Sequence, residues 1–141
     1  MSSSHRVAHR LGYLALLPFM LGALAIWLVR VDVRGYALTA TSAYAGVVVA
    51  FLGGIHWGFG FRQDDAPPRL FVWGVVPPLV ASVAQVMEPV AALVIHGMML
   101  VACYLVDRRV YPREGASRWL MLRFRLTAVA ALSCFLAAAG G

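Results

Sequence analysis

Two histidines, His56 and His96, lie inside long apolar runs, and of all the residues in this chain they have the widest choice of chemistry. An imidazole can donate or accept a hydrogen bond, take up a proton or ligate a metal. His56 sits in Gly53-Gly54-Ile55-His56-Trp57-Gly58, and His96 is followed by Gly97. An ionisable group inside hydrocarbon is costly and usually faces the interior of a helix bundle. Each histidine is therefore expected to hold a structural hydrogen bond or to serve a ligand site, with Trp57 beside one and Gln85 as a further polar partner. Bis-histidine ligation of haem is the most specific chemistry the pair offers. Depth counts against it. His56 lies about 9 Å along the helix from Arg62, and His96 about 16 Å from Asp107, at 1.5 Å per residue. Haem, quinone or another small ligand stays an alternative reading, and no metal site is expected, because two histidines without a carboxylate or thiolate cluster make a poor ligand set.

Other reactive sets are missing. There is no nucleophile–base pair, phosphate loop or pair of neighbouring carboxylates, and all six acidic residues fall in expected loops or span ends. That argues against a hydrolase and against a proton-coupled carrier with a membrane-buried carboxylate. No catalytic residue is assigned, and the expectation is a protein that is not an enzyme. Cys103 and Cys134 each lie in an apolar segment at different expected depths, and read as small inert core residues with no disulfide.

The elements that must position these side chains are membrane spans. The chain is 62% hydrophobic, with a mean hydropathy of +0.80, against about 45–50% apolar residues in a soluble domain. Five apolar segments stand out, at 11–29, 36–61, 70–87, 89–106 and 119–139, and about 20 residues of helix cross a hydrocarbon layer of about 30 Å. The fold class expected is all-α, one polytopic domain over residues 1–141. All twelve basic residues are arginine, which points to a GC-rich bacterial genome, and they cluster at the ends of the apolar runs. With the N-terminus inside and the C-terminus outside, ten arginines face the cytoplasm and only Arg30 and Arg34 face out, as the positive-inside rule asks. The bacterial inner membrane is the expected address. Nucleic acid is excluded as a partner by the same distribution. The first segment continues through Ile26–Val29, longer than a usual signal core, so it is expected to be retained. Loops are short: Glu88-Pro89 must form a tight hairpin, and Asp107–Arg118 is the one sizeable connection expected.

The second segment carries Ser42, Gly46, Ala50, Gly54 and Gly58 at four-residue spacing, a small-residue track suited to close helix packing. At about 100° per residue, His56 points about 160° away from Gly54 and Gly58 and shares a face with Gly53 and Gly60. The segment should therefore be central, with neighbours on both sides. Pro18 and Pro77-Pro78 are expected to kink the first and third spans, which more often fits helices into one bundle but could open a cavity between them. The stretch 118–127 is basic and amphipathic, with Arg118, Arg123 and Arg125 as a juxtamembrane anchor for anionic headgroups.

Phe51-Leu52-Gly53-Gly54-Ile55-His56-Trp57-Gly58 resembles the bacterial domain of unknown function 3429 family, which also includes a eukaryotic mitochondrial transmembrane protein. Leu122-Arg123-Phe124-Arg125-Leu126-Thr127 is similar to that family's entry into its last span. The third span departs from the family, ending in Ala84-Gln85 where a tryptophan is expected. The resemblance implies a membrane bundle of about five spans and directs attention to His56, Trp57 and Arg123; it implies no activity. The functional expectation is a structural, assembly or accessory protein that works through helix contacts, in the lipid bilayer, with a membrane-protein partner or as a homo-oligomer. A small-molecule channel or carrier is the remaining alternative.

Overall fold

A computed structural model describes residues 2–141, and among them there are helices and no strands. The elements are α1 (Ser3–Leu14), α2 (Leu17–Leu28), α3 (Val31–Phe61), α4 (Pro68–Gln85), α5 (Pro89–Arg113) and α6 (Leu120–Gly140), with a single 3-10 turn at Ser117–Trp119 before α6. Four helical stretches are long and apolar enough to cross a membrane: Ser3–Leu28, Val31–Phe61, Pro89–Arg113 and Ser117–Gly140. α4 has 18 residues and lies along α3 as a fifth bundle member.

The first stretch is broken where expected. α1 ends at Leu14, and α2 begins at Leu17 with Pro18 in its first turn. Proline lacks an N–H and fits a helix start better than an interior. The hairpin between α4 and α5 is also as tight as expected. Glu88 caps α5 by accepting hydrogen bonds from the Val90 and Ala91 amides at 2.9 and 3.1 Å. The connection expected at Asp107–Arg118 is shorter than that. α5 runs on through Asp107 to Arg113, and Gly115, with φ of 74°, makes the turn. A carboxylate ends a span only when it must reach water, and Asp107 finds its partners inside the bundle.

α3 is central, packing against α2, α4, α5 and α6. Its small-residue track is not the one expected. Ser42 and Gly46 are buried and Ala50 is half-buried, but Gly54 and Gly58 are exposed, with nothing within 4 Å of where a Cβ would stand. A strict four-residue repeat advances about 40° per step on an α-helix, so five members cannot share one face. The glycines that seat α4 are Gly53 and Gly60. A Cβ at Gly53 would stand 2.6 Å from the Gly74 carbonyl oxygen and 2.9 Å from the Pro78 ring, and one at Gly60 would strike the Phe71 ring. Pro78 cannot donate to the Gly74 carbonyl in its own helix, and bare Gly53 lets that carbonyl lie against α3. The paired prolines of α4 thus fit the helix to α3 and line no cavity with the first span. Cys103 and Cys134 are free and buried in the core.

Candidate functional site

Three helices bring three ionisable side chains together at the arginine-rich end of the bundle, the end that holds the α3 and α5 C-termini and the start of α6. His56 comes from α3, Asp107 from α5, and Arg123 from α6. The His56 ring nitrogen Nε2 lies 2.6 Å from Asp107 Oδ1. Arg123 donates to Asp107 Oδ2 from Nη2 at 2.8 Å and from Nε at 3.2 Å. Its Nη1 donates to Thr127 Oγ1, one turn along α6, at 2.8 Å. Asp107 is 0% exposed, His56 1% and Arg123 7%. Both carboxylate oxygens are engaged, which is the condition under which a charge survives away from water. The Asp107 carboxylate and the Arg123 guanidinium form an ion pair inside the bundle.

His96 belongs to a different cluster. Its Nε2 meets Gln85 Oε1 at 2.9 Å. Ser42 donates to the same oxygen at 3.4 Å, and the Gln85 amide donates to the Ala43 carbonyl at 3.4 Å. His96 is fully buried, and its Nδ1 has no hydrogen-bond partner among the described residues. The expected site of His56, His96, Trp57 and Gln85 therefore divides. Each histidine is engaged through Nε2 by a side chain of another helix, and the two do not form one ligand pair. Trp57 is a fastener between α3 and α4: its indole N–H donates to the Phe71 carbonyl at 3.0 Å.

Arg123 does not serve as the headgroup anchor expected of it, because the only buried carboxylate among the described residues holds it inside the bundle. Arg118 and Arg125 do remain exposed, with Arg125 reaching the Tyr13 hydroxyl at 3.3 Å. The expectation that every acidic residue lies in a loop or at a span end fails at Asp107. Asp107 and Arg123 lie within about two turns of the arginine-rich ends of α5 and α6, as His56 does in α3, and His96 lies deeper in α5.

Beside the network runs a cleft of about 760 Å³. Its walls are α1 and α2 (Leu11, Gly12, Phe19), the face of α3 from Tyr44 to Phe59 with Arg62 just beyond its end, and Trp119 with the face of α6 from Leu122 to Ala130, with Leu100 and Tyr111 of α5 also lining it. Leu11, Val47 and Phe51 on its walls are exposed, so it opens sideways to the surroundings of the bundle. Its lining is apolar over most of its length. The polar groups, Arg62, Glu114, Arg118, Arg123 and Thr127, collect toward the arginine-rich end. The break between α1 and α2 shapes this space: α1 leans on α6, where Gly12 sits against Leu126, and the rings of His5 and His9 lie on Trp119 at 4.9 and 5.8 Å between centroids.

No curated protein and no solved structure is detectably similar to the chain. A family profile does match it, from residue 4 to residue 139, a span that holds both histidine motifs, Asp107 and Arg123. By that match over nearly its whole length, the chain belongs to the family described as protein of unknown function (DUF3429).

Proposed function

We propose that this protein is a non-enzymatic, five-span membrane module that binds an amphiphilic molecule in the cleft between α1–α2, α3 and α6. The observation that carries the reading is the cleft: about 760 Å³, apolar along most of its length, polar at one end and open sideways. Small-molecule sites commonly have volumes of about 300–1,000 Å³, apolar walls and a few convergent polar groups. The buried network of His56, Asp107 and Arg123 ties α3, α5 and α6 together at the polar end, and so fixes the walls there. The arginine-rich end faces the cytoplasm, in the inner membrane of a bacterium, following the positive-inside bias of the sequence. Mass spectrometry of lipids and cofactors co-purifying with the full-length protein in mild detergent tests this. A defined amphiphile lost when Ile55 is enlarged to Trp is the expected result; the same extract from both proteins would refute the reading. Haem is not favoured, since each histidine is engaged at Nε2 by a side-chain acceptor.

A second reading, assembly through helix contacts, rests on the bare outer face of α3. Gly54 and Gly58 have open space around them, between exposed Phe51 and Phe61. Two backbones can approach closely over such a pair. Cysteine introduced at Gly54 and cross-linked in native membranes should give a discrete dimer or a defined partner adduct; a protein that stays monomeric would remove this reading.

A further inference from the structure

The cleft's shape and charge say which amphiphile it suits. Along α3 it extends from Tyr44 to Arg62, about 27 Å at 1.5 Å per residue. A volume of about 760 Å³ along that length makes an elongated, mostly apolar slot, within the usual size of a small-molecule site.

The charges at the polar end are unequal. Arg62, Arg118 and Arg123 line it, against Glu114. Arg123 is neutralised by Asp107. Glu114 directs its carboxylate to the Gln63 amide at 2.7 Å. Arg62 donates only to the Glu114 main-chain carbonyl, at 3.1 Å, and lies over the Phe59 ring. Arg118 is exposed, and neither Arg62 nor Arg118 has a carboxylate partner among the described residues. The mouth thus presents two guanidiniums without a carboxylate partner at the end of an elongated apolar slot.

We infer that the cleft takes an anionic lipid from the surrounding leaflet, with hydrocarbon between α1–α2, α3 and α6 and its phosphate or carboxylate head on Arg62 and Arg118. This rests on the reading of the cleft as a binding site. Guanidinium suits such heads because its planar N–H groups match carboxylate and phosphate oxygens. Arg123 is the positioning residue, holding α6 to α5 so that the mouth keeps its shape.

Native mass spectrometry of the full-length protein in neutral detergent tests this, with hexadecyl phosphate, palmitate, hexadecanol and a two-chain phosphatidic acid as probes. One equivalent of hexadecyl phosphate, palmitate or phosphatidic acid is expected, with hexadecanol at least about tenfold weaker. Arginine near a membrane surface attracts anionic lipid, so Arg62→Gln with Arg118→Gln should weaken the anionic probes about tenfold or more and leave hexadecanol unchanged. Circular dichroism and the melting temperature show whether the variant is folded, and Arg62→Lys with Arg118→Lys should restore most of the binding. Equal binding of hexadecanol and hexadecyl phosphate, unaffected by the variant, would overturn the anionic assignment and leave the cleft reading intact. No binding of any probe would overturn both.

Discussion

Asp107 determines the chemistry of the buried end, because every other group there is arranged around it. Its two oxygens take three hydrogen bonds from His56 and Arg123. Removing Arg123 alone leaves a carboxylate with no counter-charge where no water reaches it, at a cost of about 3–5 kcal/mol. Arg123→Met should therefore lose much of its folded yield and melting temperature in detergent. Replacing the whole network, with His56→Phe, Asp107→Leu and Arg123→Met together, should recover most of that stability, because no charge is then stranded. Thermal unfolding of the two variants checks this, and a single variant as stable as the parent would show that the network does not hold the helices. The glycines of the same motif give a second contrast. Gly53→Ala puts a methyl group against the Gly74 carbonyl and should cost about 1–3 kcal/mol as overpacking. Gly54→Ala meets open space and should be neutral or stabilise the helix by up to about 1 kcal/mol. Melting temperatures that rank these two variants the other way would invert the assignment of packing and outer faces.

Helices place these residues through their ends and breaks. α5 is long enough to carry Asp107 because Glu88 caps its start and Gly115 turns its far end in the left-handed region. Glu88→Ala removes the acceptor for two amides and should cost about 1 kcal/mol. Amide exchange in the first turn of α5 should rise in that variant while the turn around Asp107 stays protected; a uniform rise along α5 would mean that the cap is not a local device. The break between α1 and α2 is the element that makes the cleft. With α1 leaning on α6, the face of α3 that carries Val47, Val48, Phe51 and Ile55 is left without a helical cover near the arginine-rich end. α4 shows the opposite use of proline. Pro77 and Pro78 sit inside the helix, and the carbonyl that Pro78 frees is set against Gly53, so the paired prolines serve close helix contact, the bundle fit expected ahead of a cavity.

At the scale of the whole molecule, the arrangement is a bundle with one charged end. Arginine is concentrated where α3 and α5 end and where α1 and α6 begin. Cysteine placed at Ser2 should react with an impermeant maleimide only after the membrane is opened, and cysteine placed at Gly141 should react in intact cells; the reverse pattern would invert the orientation. Much of this was legible in residue order. Apolar length marks helices, proline and short polar stretches mark their breaks, and arginine marks one end, since each depends on local physics: hydrogen-bond satisfaction in hydrocarbon and the cost of moving charge across it. Residue order is therefore enough for an all-helical bundle, the division of its helices, the tight α4–α5 hairpin, the central place of α3 and His56 as an interior group. What His56 touches depends on tertiary contacts. Asp107 read as a loop residue and Arg123 as a surface anchor, because alone each would have to reach water. Brought together from helices far apart in sequence, they neutralise each other and become interior groups. The glycines followed the same logic: spacing marks them as small, but whether a neighbour uses that smallness depends on how α3 is rotated in the bundle. For this reason Gly53 packs and Gly54 does not.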